Sequence, residues 1–184
     1  MDHTEAIVQI NNLIDHNFCN EMIKIIDTKA IHSMETMDGV QKHIRNVSGY
    51  TLKSNIDEDK IIFEKINNLI EKLYTYYKTK FLRVLDNNKI NQIDMLKYSI
   101  GGKYEVHTDT MTDNTRNISI IINLNNDYEG GNLLFCNPLK ISEEIKELKL
   151  EKGSIVFFPS NFMYPHSIQP IMKGTRYSIV AWLQ

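Results

Sequence analysis

The stretch Gln92–Asp109, QIDMLKYSIGGKYEVHTD, decides how the chain is read. Two short apolar-rich runs, Ile93–Ile100 and Tyr104–His107, flank the pair Gly101-Gly102, the pattern of strand, turn, strand. The same texture continues through Asn117–Asn125, Asn132–Phe135, Ser154–Phe158, His166–Ile171 and Thr175–Leu183. All four prolines follow Asn137, and six of the eight glycines follow Ile100, so turn residues concentrate where short strands need them. Several short strands at this spacing predict a barrel or jelly roll. Ser142–Leu150, SEEIKELKL, suits a short helix or a charged strand equally.

The first half reads differently. Ile7–Ile10 suits an opening strand, and Asp15 or Asn17 can cap a helix to about Thr28, with Phe18, Met22, Ile25 and Ile26 on one face. Asp57 can cap a longer helix on which Ile62, Ile66, Leu69, Ile70, Leu73 and Tyr77 recur at helical spacing. A single apolar stripe on each predicts that both pack against a sheet. Between them Ile31–Ile44, with Met34 and Met37, has no clear period and reads as a loop before a strand near Arg45–Leu52. Long irregular loops often lie over binding sites, although a plain surface loop looks the same in sequence. The expected fold is therefore mainly β with α. Residues 1–184 would form a single domain, with 1–91 as helical support and substrate cover and 92–184 as a jelly-roll core.

Composition narrows the function classes. A hydrophobic fraction of 42% excludes a disordered chain. The 21 basic and 23 acidic residues give a net charge of -2, which disfavours a broad nucleic-acid face. No apolar run approaches the ~18 residues of a membrane span. Cys19 and Cys136 form no CxxC pair, which argues against a cysteine zinc site or a disulfide scaffold. The opening Met-Asp-His-Thr-Glu lacks a basic region followed by an apolar one, so a cytoplasmic location is expected.

The chemistry starts at His107-Thr-Asp109. On a strand, residues two apart share a face, so imidazole and carboxylate can converge on one ion. A bare HxD is also what a surface histidine beside an aspartate looks like. The second histidine, His166 in Tyr164-Pro165-His166, changes the reading. Two histidines and one carboxylate make the facial triad that leaves three positions open on Fe(II), and zinc accepts the same ligands. Met172-Lys173-Gly174 reads as a three-residue hairpin turn that sets His166 opposite Val180. Arg176, Ser178, Val180 and Trp182 then share the face of His166. An inward arginine needs an anion, and that strand offers no carboxylate. A five-carbon dicarboxylate would span the gap from metal to Arg176, gaining ~1.5–3 kcal/mol for a charged hydrogen bond. An ordinary surface ion pair is the alternative.

The order Tyr98…Gly102-Lys-Tyr104…His107-Thr-Asp109, then Glu129-Gly130-Gly131, Pro165-His166 and Arg176-Tyr-Ser178, resembles the 2-oxoglutarate and Fe(II)-dependent oxygenases, most of all the prolyl 4-hydroxylase branch. The resemblance implies a double-stranded β-helix (jelly-roll) core with the N-terminal helices packed on one sheet. It implies metal ligation by His107, Asp109 and His166, and a catalytic set completed by Arg176. The co-substrate 2-oxoglutarate would meet Arg176, Ser178 and Tyr98. Asn123 stands where prolyl hydroxylases often carry a tyrosine, and strand parity turns it, with Ser119 and Ile121, toward the co-substrate. Tyr104, Trp182 and Arg45 fall to the primary substrate. O2 is the second co-substrate, and ascorbate is a reductant such enzymes can use.

Two positions separate relatives. Nucleic-acid demethylases of the superfamily carry a second arginine six residues after the first, where this chain has Trp182. Halogenases replace the carboxylate that Asp109 retains. The resemblance therefore implies hydroxylation of a prolyl residue in a peptide or protein, with release of succinate and CO2. A free amino acid, another protein side chain or a small metabolite is the alternative substrate. A nucleic-acid oxygenase and a non-enzymatic metal-binding jelly roll rank lower.

Overall fold

The computed structural model describes residues 2–36, 38–53, 55–81, 89–110 and 116–184. A 3-10 turn over His3–Ala6 leads into β1 (Val8–Ile10), helix α1 (His16–Lys29), β2 (His32–Ser33), β3 (Arg45–Asn46), β4 (Ser48–Thr51) and helix α2 (Asp57–Lys78). The second half is β5 (Ile90–Tyr98), β6 (Lys103–His107), β7 (Ile118–Asn123), β8 (Glu129–Gly130), β9 (Leu133–Asn137), β10 (Lys140–Leu148), β11 (Ser154–Pro159), β12 (His166–Ile168), β13 (Ile171–Lys173) and β14 (Arg176–Leu183).

A seven-stranded sheet runs in the order β1-β11-β7-β14-β5-β4-β2, and a five-stranded sheet in the order β10-β9-β12-β6-β3. The pairings are antiparallel throughout both sheets. Side-chain alternation divides the large sheet cleanly. Ile118, Ile120 and Ile122 of β7, with Ile179, Ala181 and Leu183 of β14, join the core shared with Met22, Ile26, Ile66 and Ile70 of the helices. Ile121 of β7, Leu96 and Tyr98 of β5 and Phe158 of β11 face the other way and meet Leu133 and Phe135 of the small sheet. Each fully buried Ile, Leu or Phe contributes about 1.5–3 kcal/mol, so the period of two in these strands suffices to hold three layers together. The helices thus pack on one sheet of a jelly roll, as expected.

Several local expectations change. Asp15 caps α1 and accepts from Asn17 N at 2.7 Å. Asp57 caps nothing: it is the first residue of α2, preceded by Ile56 without a side-chain cap bond. Three acids in that first turn still complement the helix dipole. The strand near Arg45–Leu52 splits at Val47, with β3 joining the small sheet and β4 the large one. The first half thus supplies strands to both sheets besides its helices. Ile31–Ile44 is not wholly irregular, since it holds β2 and a bridge between Thr36 and Gly39; Met37 lies outside the described residues. Of Ser142–Leu150, the part up to Leu148 is strand and forms the greater part of β10, while Lys149 and Leu150 lie beyond it.

The register of the last hairpin is also corrected. His166 does not oppose Val180. It pairs with His107 of β6 and Phe135 of β9, whereas Val180 pairs with Asp94 and Ile121. Pro170 has no N–H to donate to a ladder, and after it β13 leaves to pair with β8. Strands β12 and β14 therefore lie in opposite sheets. Their inward faces still meet, so Arg176, Ser178, Val180 and Trp182 do line the same cleft as His166.

Asp59 ties the supporting layer together. Its fully buried carboxylate accepts from Lys29 Nζ at 2.8 Å, Tyr50 Oη at 2.7 Å and Lys53 N at 2.9 Å. Removing it leaves three donors unanswered, one of them charged. Asp59→Ala is expected to lower unfolding stability by roughly 3 kcal/mol in a urea titration, well beyond an ordinary surface substitution.

Candidate metal centre

Two strands position the histidines. His107 ends β6, His166 begins β12, and the two are direct partners across the ladder. Asp109 lies just past the end of β6. His107 Nε2 is 3.5 Å from Asp109 Oδ1, and His166 Nε2 is 3.7 Å from Asp109 Oδ2. The three candidate ligand atoms all fall within 4.8 Å of one another. Each imidazole has its Nδ1 beside the carbonyl two residues back: His107 at 2.9 Å from Glu105 O, His166 at 3.1 Å from Tyr164 O. A proton on Nδ1 answers those carbonyls and leaves both Nε2 lone pairs free for a cation.

The electrostatics agree. Burial pushes His166 down to about 4, helped by the neighbouring His107, so its imidazole is neutral at pH 7. Burial alone would raise the Asp109 carboxyl, but His166, His107 and the Ser119 hydroxyl outweigh it and hold it well below the usual carboxylate range. Neutral imidazole and ionised carboxylate are the forms that bind a metal without first losing protons.

Behind the trio is a narrow cleft of about 30 Å³ that reaches Arg176 and Ser178. Arg176 is 1% exposed, and its Nε and Nη2 find no partner among the described residues; neither does the Ser178 hydroxyl. Tyr98 is its rung partner on β5, with the guanidinium carbon 5.2 Å from the ring centroid. Gly131 makes room for this arginine. At φ +65°, any Cβ there would run into Ile171, the Arg176 stem and Tyr128. Phe135 and Phe158 pack beside the His166 ring and keep the floor dry.

In front is a wider cavity of about 650 Å³. Tyr104 stacks on His107 at 3.6 Å between ring centroids, and Arg45 lies over Tyr104 at 4.8 Å. Arg116 lies over Trp182 at 3.7 Å and donates to Gln92 Oε1 at 3.0 Å. Asp94, 2% exposed, accepts from Thr51 and Gln92 and sits 3.9 Å from Arg45. Much of the far wall is the segment expected as a cover, including Met34 and Ile44. The other expected rim, Thr110–Thr115, is described only at Thr110, which borders the cavity; the remainder lies outside the described residues.

Of the ten residues singled out in sequence, nine border these two adjoining cavities, and Asn123 does not. Its amide donates to Asn125 O at 2.5 Å and Leu150 O at 3.0 Å, and its Oδ1 accepts from Tyr128 at 3.3 Å. It stands on the last rung of β7, where two loops capture it. Sequence reasoning overlooked Arg116, Gln92, Asp94 and Thr51. For Asp94 a signal existed, since on β5 it shares the inward face with Leu96 and Tyr98.

The profile of the 2OG-Fe(II) oxygenase superfamily matches residues 93–184, half of the sequence. The chain belongs to this superfamily. A PKHD-type hydroxylase of Prochlorococcus marinus is 32% identical over 100 residues, covering 52% of this chain and 42% of that protein. One from Idiomarina loihiensis is 21% identical over 97% of this chain and 77% of its own length. Among solved structures, the Pseudomonas putida prolyl-4-hydroxylase superposes with a TM-score of 0.74 at 16% identity, covering 97% of this chain and 92% of that one. A Trichoplax adhaerens prolyl hydroxylase, in complex with a hypoxia inducible factor peptide, also scores 0.74 at 16% identity, covering 98% and 84%. The chain thus has a prolyl 4-hydroxylase-like fold, and its family implies Fe(II) and 2-oxoglutarate. No helix among the described residues is long and apolar enough to cross a membrane.

If the trio binds metal, His166→Ala should weaken Co(II) binding by more than the ~10–100-fold that losing an outer partner of a ligand costs. Visible absorbance of the Co(II)-titrated protein measures this, and an unchanged affinity would detach His166 from the metal.

Proposed function

We propose that this oxygenase, working as one domain over residues 1–184, hydroxylates prolyl residues of a peptide or protein and releases succinate and CO2. The observation that carries the reading is the buried guanidinium of Arg176, with two nitrogens unpartnered, in the same cleft as the His107, Asp109 and His166 trio. Buried polar groups are ordinarily answered, so a charged orphan in a cleft points to an anionic ligand.

Each residue then has a task. His107 and His166 would offer Nε2 to Fe(II) and Asp109 a carboxylate oxygen, and a triad of this kind leaves positions for further ligands. Arg176 binds the far carboxylate of 2-oxoglutarate as a fork, Ser178 adds a hydroxyl, and Tyr98 walls the guanidinium. The cleft as it stands has room for about one water, so Tyr104 or its neighbours must swing aside to admit a five-carbon acid. When bound, Fe(II) and 2-oxoglutarate supply the oxidising chemistry that converts a substrate C–H bond to C–OH at the expense of O2. Tyr104, Trp182, Arg45 and Arg116 border the outer cavity and orient the primary substrate there. Its volume suits a short stretch of peptide, and the peptide-bound Trichoplax structure supports that class.

A second reading, hydroxylation of a free amino acid, draws on the same outer cavity. Arg45 and Arg116 border it, and with Asp109 given to the metal, Asp94 is the buried carboxylate left among the described residues to answer them, which suits a substrate with its own carboxylate. Mass spectrometry of reactions with Fe(II), 2-oxoglutarate and ascorbate separates the two. Oxygen added to proline-containing peptides supports the first; oxygen added only to free amino acids selects the second.

Arg176→Ala removes charged hydrogen bonds of ~1.5–3 kcal/mol each, so the 2-oxoglutarate requirement should rise at least about tenfold. The Fe(II) requirement should stay within about threefold. Anaerobic titration of the visible chelate band reads both, and an unaltered 2-oxoglutarate requirement would exclude the clamp.

A further inference from the structure

The two histidines are placed by the β6–β12 ladder, but Asp109 lies beyond the strand and has no rung of its own. Its position depends on other contacts. Arg116 Nη1 donates to its backbone oxygen at 3.3 Å. Among the described residues its side chain is gripped by one hydroxyl, Ser119 Oγ, 2.6 Å from Oδ2. Ser119 is fully buried on β7, and its Oγ lies 2.8 Å from that of Ser160, also buried. Ser160 is anchored in turn: its N donates to Asn117 O at 3.0 Å, and its carbonyl accepts from Thr110 Oγ1 at 2.7 Å.

Proton counting gives this chain a direction. A carboxylate that ligates a cation carries no proton and can only accept. Ser119 therefore donates to Asp109, and Ser160 donates to Ser119. The grip falls on Oδ2; Oδ1, on the His107 side, has no hydroxyl partner among the described residues. We propose that Ser119 is the positioning residue of the metal site: it holds Oδ2 so that Asp109 ligates through one oxygen. A carboxylate closing on the ion with both oxygens would take a fourth position and leave two. The family's co-substrates need three, two for the 2-oxoglutarate chelate and one for O2. The proposal rests on the metal reading above.

The test titrates apo protein with Co(II), followed by visible absorbance, so no turnover is involved. Ser119→Ala is expected to weaken Co(II) binding about tenfold and to shift the Co(II) bands as Oδ2 is freed. Ser119→Thr, which restores a hydroxyl, should return affinity to within about threefold of the wild type. Ser160→Ala should also stay within that range, since Ser119 keeps its proton on Asp109. A folded Ser119→Ala protein with wild-type affinity and bands would overturn the proposal, as would an equal loss in the Thr variant. Should the Ala variant not fold, Ser119→Thr and Ser119→Val, alike in shape, carry the comparison, and equal affinities there would overturn it. Failure of the wild type itself to bind Co(II), or wild-type binding by His166→Ala, would instead strike the metal reading.

Discussion

The antiparallel rung between β6 and β12 governs the whole site, because it sets His107 directly opposite His166. Imidazoles far apart in the chain become neighbours through backbone hydrogen bonds alone, with ring centroids 4.3 Å apart. Cross-strand partners on one face are held at fixed spacing whatever the side chains prefer. The register of this pair is secured from both sides. Phe135 on β9 is the other rung partner of His166, and Phe158 packs against the same ring from the facing sheet. A slip by one residue would turn a histidine into the wrong layer and a phenylalanine out of the core. The packing that stabilises the sandwich is thus the packing that aims the ligands.

Arg176 imposes the second constraint. A fully buried guanidinium is costly unless answered, and β14 carries it inward because its alternate residues, Ile179, Ala181 and Leu183, are committed to the helix layer. Once those three face the helices, Arg176, Ser178, Val180 and Trp182 have no choice of side. The adjacent left-handed glycine at Gly131 accommodates the arginine stem, which explains a glycine where the backbone itself runs outside any long strand. The energetic burden of the buried charge is carried by the two apolar layers around it, and it makes sense as a binding device rather than as part of the core.

What could be read in advance follows from how far each kind of signal reaches. Alternation is local, so the facing of β7 and β14 was legible, and with it the grouping of Arg176 and Ser178, whereas Tyr98 came from the family resemblance. The apolar stripes of α1 and α2 gave the layer they pack on. Pairing is not local. The turn at Met172–Gly174 suggested a hairpin between β12 and β14, and nothing nearby announced that Pro170 would send β13 to β8 instead. The inward faces still met, because in a jelly roll strands of opposite sheets share one interior. Asn123 shows a further limit: parity supplies a face but not a depth along it, and on its last rung loop carbonyls claim the amide. Arg116 was hidden for another reason. It sits outside any strand, and its stacking on Trp182 and its bonds to Gln92 and the Asp109 carbonyl bring it to the cavity.

Five residues, Arg45, Tyr104, His107, Asp109 and Trp182, border both the inner cleft and the outer cavity and so form the partition between them. Their contacts run in series. Glu35 of the cover segment accepts from Arg45 at 2.7 Å, Arg45 lies over Tyr104, and Tyr104 stacks on His107. The cover is thereby three contacts from a proposed metal ligand, with no flexible stretch of main chain intervening. On the other side of the partition Arg116 covers Trp182 and reaches the Asp109 carbonyl. Tyr104 and Trp182 are each backed by a guanidinium that is itself tethered to a carbonyl, so a swing of either ring must also move its arginine. Under the proposed function, a substrate entering from the outer cavity would meet these two rings, and the space they leave would decide which C–H bond approaches the trio.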